Sequence, residues 1–165
     1  MRILGIDPGF AITGYSIIDY IGNKFNLIDS GAILTEAHTS FPLRLEQIYN
    51  ELQEIIKKYK PDAMSIEELF FNNNAKTAIN VAQARGVILV TAKINNLPIY
   101  EYTPLQVKQG VVGYGRAQKI QVQQMVTSLL KLKEIPKPDD TADALAIAVC
   151  HAHANRLEKT LKNFK

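Results

Sequence analysis

Two acidic residues follow short apolar runs in the same way. Asp7 closes the run of residues 2–6 and is followed at once by Pro8-Gly9, a strong turn signal. Glu67 directly follows a second apolar run, residues 63–66. A carboxylate at the C-terminal end of a buried strand lies where α/β sheets place their ligand sites. Asp7 and Glu67 would therefore meet at one edge of a sheet if their two strands are neighbours.

Two further acids, Asp140 and Asp143, are spaced i, i+3 and would share one face of a helix. Acids in a first turn also complement the helix dipole, which is the ordinary interpretation of this pattern. Against it, Asp143 directly precedes the apolar stretch 144–149, which predicts a buried helix. A charge entering such a helix needs a partner, and a metal ion is a suitable one. Asp139 is an alternative to Asp140, because an i, i+4 pair with Asp143 also shares a face.

Four carboxylates form a set of hard oxygen ligands, which suits Mg²⁺ or Mn²⁺ better than zinc. Two such ions about 4 Å apart can activate a water and stabilise the leaving oxygen of a phosphodiester. The single cysteine, Cys150, excludes an internal disulfide and Cys-rich zinc sites. The acids therefore indicate metal-dependent phosphodiester chemistry. The Asp-x-Gly element at Asp7 is nevertheless shared by nucleases and actin-like ATPases.

The basic residues are unevenly distributed, although the net charge is only +3. Residues 102–165 contain 10 Lys and Arg against 5 Asp and Glu, and no acid lies between 102 and 133. This segment carries Lys108, Arg116 and Lys119, and it is either a solvated surface or a phosphate-contact surface. The neighbouring acids favour the second interpretation. Phe70 lies in an aromatic and amide-rich loop, residues 70–74, which suits base stacking, although a phenylalanine packed beneath a helix is the alternative.

The apolar periodicity predicts a chain that begins with strands and then alternates helices and strands. The fold class is α/β, with a five-stranded mixed sheet of three antiparallel and two α-linked parallel strands and helices on both faces. We expect one domain over residues 1–155 and a short basic tail over 156–165.

No apolar stretch approaches the ~20 residues of a membrane span, and we expect a cytoplasmic protein. The predicted strands are 2–7, 12–20, 25–34, 63–66 and 98–102, and the predicted helices are 45–59, 75–95, two within 104–131, and one from about 139 past 151.

An ordered set of motifs, running from about residue 2 to 153, resembles the RuvC family. That family comprises bacterial crossover-junction endonucleases with a ribonuclease-H-like fold. The motifs are Gly5-Ile-Asp7-Pro-Gly9, Thr13-Gly-Tyr15, Ile66-Glu67, Phe70, Gln83-Ala-Arg-Gly86, Gln106-Val-Lys108-Gln109, Val111-Val-Gly113, Lys119 and Asp140-x-x-Asp143-Ala-Leu-Ala-Ile-Ala148.

The resemblance implies a Holliday junction resolvase that nicks two strands of a four-way DNA junction symmetrically, in recombination and repair. It makes Asp7, Glu67, Asp140 and Asp143 the catalytic metal ligands, with two Mg²⁺ ions per site, Asp7 bridging them, and Mn²⁺ as a substitute. It also implies DNA contacts, a homodimer and a branch-migration partner, RuvA-RuvB. The resemblance makes Phe70, Lys108 and Lys119 DNA-contact residues, to which the basic segment adds Arg116, and the dimer helix would carry Gln83 and Gly86.

Three other functions compete with this one. A ribonuclease-H-like RNA-processing nuclease of the YqgF type shares a similar first-strand element. A non-catalytic junction-binding module would bind without cleaving under any divalent ion. An actin-like ATPase is disfavoured, because 165 residues cannot supply both lobes and no second phosphate-binding loop is visible.

Overall fold

The structure is a computed structural model that describes residues 1–69 and 75–162, with the backbone alone at 75–76 and 158–162. Its elements follow the predicted order, with boundaries shifted by a few residues. The first helix begins four residues earlier than predicted, at Phe41, with a proline in its first turn. The elements are β1 Arg2–Asp7, β2 Ile12–Ile21, β3 Lys24–Leu34, α1 Phe41–Tyr59, β4 Ala63–Glu67, α2 Ala75–Ile94, β5 Ile99–Tyr102, α3 Pro104–Val112, α4 Lys119–Leu129 and α5 Asp139–Lys162.

The five strands form one mixed sheet in the order β3-β2-β1-β4-β5. β1 and β2, and β2 and β3, pair antiparallel, whereas β1 and β4, and β4 and β5, pair parallel. Ile6 of β1 is opposite Ile66 of β4. Asp7 and Glu67 are the next residues of these two strands, so they lie at the same sheet edge. The condition on which the meeting of Asp7 and Glu67 depended, that their two strands are neighbours, is therefore met.

Helices cover both faces of the sheet, as predicted. α1 and α2 pack on one face over a core that includes Leu4, Ile6 and Ile66. α3, α4 and α5 pack on the other face over a core that includes Ile3 and Leu145. Successive strand residues point to opposite faces. Since Ile6 and Ile66 point towards α1 and α2, Asp7 and Glu67 both point towards the α5 face.

The N-terminal half of α5 is almost completely buried, as its apolar sequence predicts: every residue from 144 to 152 is buried. Two glycines allow this helix to lie directly on the sheet. A Cβ at Gly5 would stand 2.2 Å from the carbonyl oxygen of Ala144, and one at Gly14 would stand 2.0 Å from the carbonyl oxygen of Asp140. The Ser16 hydroxyl donates a 2.9 Å hydrogen bond to the same Ala144 carbonyl. The close approach fixes where the first turn of α5 lies.

None of the helices in residues 1–69 and 75–162 is long and apolar enough to cross a membrane.

Candidate active site

Four acids converge where β1, β4 and the start of α5 meet. Asp7 pairs with Gly14 across β1 and β2, and Gly14 lies against the backbone of Asp140. Asp143 lies one turn further along α5 and shares a cleft with Glu67. The four acids singled out in the sequence are thus neighbours, although they come from segments up to 136 residues apart.

Asp7 has the most perturbed carboxyl group of this cluster. Its pKa is raised from the ordinary 3.8 to about 8. Burial is the largest cause, followed by the negative charges of Asp143, Glu67 and Asp140, while Lys119 acts in the opposite direction. The repulsion from three separate acids shows that they all lie within electrostatic reach of Asp7.

The pKa values of Glu67 and Asp143 are also raised, again mainly by burial. For Glu67 the next cause is the charge of Asp143, opposed by Lys119 and Lys108. For Asp143 the hydrogen bond and charge of Lys119 counteract burial. A group of titratable side chains whose pKa values shift through burial and mutual charge is typical of a functional site.

Lys119 supplies the positive charge nearest to these acids. Its Nζ donates a 2.8 Å hydrogen bond to Asp143 Oδ2 and lies 3.3 Å from Asp139 Oδ2. Lys119 is the first residue of α4, and the backbone N–H of the preceding Gln118 donates a 2.8 Å hydrogen bond to the Gln121 side-chain oxygen. This hydrogen bond fixes the point from which the lysine reaches across to α5.

Lys108 of α3 lies on the same cleft. This cleft has a volume of about 250 Å³, and Glu67, Asp143, Lys108 and Lys119 line it together with apolar side chains. Two carboxylates and two lysines thus line the same cleft. The cleft provides both cation ligands and phosphate partners next to each other.

The structure distinguishes Asp140 from Asp139. Asp139 is exposed and pairs with Lys119, whereas Asp140 is partly buried and contributes to the raised pKa of Asp7. The Asp140 backbone lies against Gly14, which is the partner of Asp7 across β1 and β2. The geometry therefore places Asp140, rather than Asp139, beside Asp7.

The four carboxylates fit a hard divalent cation by their chemistry. Burial and neighbouring negative charges raise the pKa values of Asp7, Glu67 and Asp143, and a bound cation would offset both effects. The four carboxylates are not preorganised as a metal site. Within residues 1–69 and 75–162, no three His, Cys, Asp or Glu side chains are close enough together to hold a metal ion as they stand. The Lys119 ammonium lies among the acids and partly balances their charge.

The other predicted contact residues lie at different places. Arg116 is exposed in the loop between α3 and α4 and does not line the cleft. Phe70 lies outside the described residues. Gln83 and Gly86 are exposed on α2, where they line a groove of about 520 Å³ between α1 and α2.

Sequence reasoning missed two contributors to the site. Gly14 was assigned no role of its own, yet its missing side chain lets Asp140 reach Asp7. Arg85 was only part of a motif, yet its Nε donates to the backbone carbonyl of Glu67 at 3.3 Å. A glycine in the middle of a strand is the signal that could have revealed the first, because it often marks a close backbone approach.

A five-stranded sheet in the order 3-2-1-4-5, with acids from β1, β4 and α5 at one edge, defines a nuclease of the ribonuclease-H-like fold. The family described as "Crossover junction endodeoxyribonuclease RuvC" matches residues 3–151. The chain therefore belongs to the RuvC family, whose members depend on a divalent metal ion.

Relatives support this membership over nearly the full length. A Clostridioides difficile protein named "Crossover junction endodeoxyribonuclease RuvC" is 64% identical over 163 residues, covering 99% of this chain and 96% of that protein. The solved structure of Thermus thermophilus RuvC has a TM-score of 0.90 at 36% identity, covering 96% of this chain and 97% of its own. T. thermophilus RuvC in complex with Holliday junction substrate has a TM-score of 0.88 at 34% identity, covering 95% and 96% of the two chains.

Proposed function

We propose that this protein is a Holliday junction resolvase, a homodimeric, metal-dependent endonuclease that nicks two strands of a four-way DNA junction symmetrically. The observation that carries the proposal is the convergence of Asp7, Glu67, Asp140 and Asp143 beside Lys119. The likeness to a relative whose structure contains a Holliday junction supports the substrate class.

In this proposal the four acids hold two Mg²⁺ ions, with Mn²⁺ as a substitute. Bound ions of this kind supply an activated water and stabilise the leaving oxygen. Asp7 contributes the most strongly raised pKa, so it gains most from a nearby cation. Asp143 contributes a carboxylate whose present partner, Lys119, is itself a cation.

Lys119 and Lys108 act on the DNA. Both ammonium groups line the cleft that contains Glu67 and Asp143, so they are placed to donate hydrogen bonds to phosphate oxygens near the reacting bond. Arg116, which is exposed in the loop between α3 and α4, would contact backbone phosphates further from the cleft. Phe70, which follows β4 closely in the sequence, is proposed to stack on a base near the junction centre.

The groove between α1 and α2 is the proposed subunit interface. Gln83, Gly86 and Val87 line it, and Val90 is 57% exposed although it is apolar. An apolar patch of this kind suits contact with a second copy. A dimer would give one site for each of the two strands. The same proposal includes RuvA-RuvB as branch-migration partner and the bacterial cytoplasm as location, and family membership supports both.

Cleavage of a synthetic four-way junction tests this function. With each strand labelled in turn and Mg²⁺ present, we expect paired nicks at symmetric positions in two opposed strands. Linear duplex of the same sequence should remain intact, and an RNA–DNA hybrid in excess should compete poorly. Asp140→Asn should bind the junction in Ca²⁺ and nick at least ~10³-fold more slowly, because one metal ligand is lost.

Glu54→Gln is the matched control, since Glu54 is an exposed acid of α1 that pairs only with Lys57 among the described ion pairs. It should nick like the wild-type protein. Absence of paired nicks in the wild type, or wild-type nicking by Asp140→Asn, would refute the proposal. Preferential cleavage of the hybrid would favour an RNA-processing nuclease instead.

A further inference from the structure

Arg85 joins α2 to the two strand ends that border the acid cluster. Its Nε donates to the carbonyl oxygen of Glu67, the last residue of β4. Its second terminal nitrogen forms an ion pair with the Glu101 carboxylate of β5. Glu101 is opposite Ile66 in the β4–β5 ladder. One guanidinium therefore fastens the ends of two neighbouring strands to one helix.

The contact acts on the backbone from which the Glu67 side chain extends. The ladder ends at this point: Glu67 is opposite Tyr102, and the Glu68 amide donates to the Tyr102 carbonyl at 2.9 Å. The Glu68 amide and the Glu67 carbonyl are the two polar groups of the peptide that follows Glu67, and they are held by Tyr102 and by Arg85 respectively. The direction of the Glu67 carboxylate depends on how this peptide is held.

Arg85 is also enclosed, because only 15% of its side chain is exposed, against 46% for Glu101. A guanidinium that is held from two sides loses less freedom per hydrogen bond than a flexible ammonium does. Its planar fork serves a carbonyl and a carboxylate at the same time. The ammonium of a lysine at this position reaches less far and cannot make both contacts in the same geometry.

We propose that Arg85 is a positioning residue that orients Glu67 for metal binding, which rests on the nuclease function proposed above. Arg85 itself does not line the cleft with Glu67 and Asp143, so it acts through the Glu67 backbone. A small displacement of a ligand lowers the rate far more than it lowers substrate affinity, since a misplacement of about 1 Å can cost about 10²-fold.

Arg85→Lys and Arg85→Ala test the proposal, with Lys93→Ala as the matched control. Lys93 is an exposed cation on the same helix. We expect single-turnover nicking of the four-way junction to fall ~10-fold for Arg85→Lys and ~100-fold for Arg85→Ala. Junction affinity in Ca²⁺ should change less than about 3-fold, because the phosphate contacts remain. Lys93→Ala should behave like the wild type.

Mn²⁺ affinity, measured by calorimetry without DNA, separates positioning from general loss of structure. Arg85→Lys should lower this affinity, and Glu67→Gln should lower it too. If Arg85 acts through Glu67, the double variant should bind Mn²⁺ no more weakly than Glu67→Gln alone. Thermal unfolding identifies any variant that fails to fold, and Arg85→Lys, which keeps the charge, then decides the outcome.

Each result has a definite consequence. A wild-type protein that does not nick junctions refutes the nuclease function and leaves the Mn²⁺ measurements to judge Arg85. A nicking wild type with Arg85 variants equal to Lys93→Ala refutes the positioning role. Additive losses of Mn²⁺ affinity in the double variant refute the route through Glu67.

Discussion

Replacing Asp7 with asparagine should abolish nicking but stabilise the protein in the absence of divalent ions at high pH. Folding raises the pKa of Asp7 from 3.8 to about 8, first through burial and then through three neighbouring acids. Between these two pH values the folded state binds more protons than the unfolded state does. Stability therefore falls as pH rises from about 4 to about 8. Asparagine, which is neutral and similar in shape, escapes this loss.

The pKa interval sets the size of the effect. At about 1.4 kcal/mol per pH unit, the interval from 3.8 to about 8 corresponds to an upper limit of ~6 kcal/mol. The asparagine amide that replaces the carboxylate must itself be buried with incomplete hydrogen bonding, which costs ~1–3 kcal/mol. We expect a net stabilisation of ~2 kcal/mol or more above pH 8, or a rise in Tm of ~4–8 °C for a domain of this size.

Thermal unfolding by circular dichroism in EDTA, at pH 5 and at pH 9, measures this difference. The Tm advantage of Asp7→Asn should be small at pH 5 and large at pH 9. Adding Mg²⁺ at pH 9 should stabilise the wild type more than the variant, because an ion that binds the folded state preferentially raises its stability. Nicking by Asp7→Asn should be undetectable under all these conditions.

Glu54→Gln controls for the removal of any carboxylate, since Glu54 is exposed on α1. It should show no Tm advantage at either pH. Two results would show that the charge of Asp7 does not destabilise the folded state. The first is an Asp7→Asn protein that is less stable than wild type at pH 9, and the second is a Tm advantage that is equal at both pH values. The reasoning from burial and repulsion would then be wrong.

Three further predictions follow from individual contacts. Lys119→Met should slow nicking ~100-fold while junction binding in Ca²⁺ changes little, because its ammonium is held 2.8 Å from Asp143, one of the proposed metal ligands; an unchanged rate in a single-turnover assay contradicts this role. Gly14→Ala should lower Tm and nicking together, because its Cβ would stand 2.0 Å from the Asp140 carbonyl and push α5 away; an unchanged Tm would show that α5 can shift freely. Gly86→Glu should leave the monomer folded, since a Cβ there meets no atom within 4 Å, but should prevent self-association in sedimentation experiments; a dimer of normal affinity would place the interface elsewhere.

The alternation of side chains made much of the fold predictable. Short apolar runs marked β1 and β4, and the 3.6-residue period marked α1, so the sheet and its helical layers could be predicted, whereas the adjacency of β1 and β4 stayed a condition. Asp7 and Glu67 were expected to meet only if their two strands were parallel neighbours, and the structure has this pairing. Phe70 stays a prediction, since it lies outside the described residues.

The approach of α5 was less accessible to sequence reasoning. The spacing of Asp140 and Asp143 gave one helix face but not its partner, and Asp139 fitted equally well. That choice depends on Gly14, which lies more than 120 residues away in the sequence and touches Asp140 through its backbone. A long-range backbone contact leaves no periodic pattern, so only the folded structure distinguishes the two acids.

The acid cluster and the apolar burial of α5 depend on each other. Repulsion among Asp7, Glu67, Asp140 and Asp143 acts to separate the sheet from the first turn of α5. The residues that follow, 144–152, are all buried, and burial of apolar side chains contributes ~1.5–3 kcal/mol for each large one. Leu145 and Ile147 are almost fully enclosed in the same core as Ile3 of β1. Because these contacts lie within two turns of Asp143, they hold the acids together against their mutual repulsion, which a bound cation would remove. The strain is therefore confined to the sheet edge where the proposed chemistry takes place.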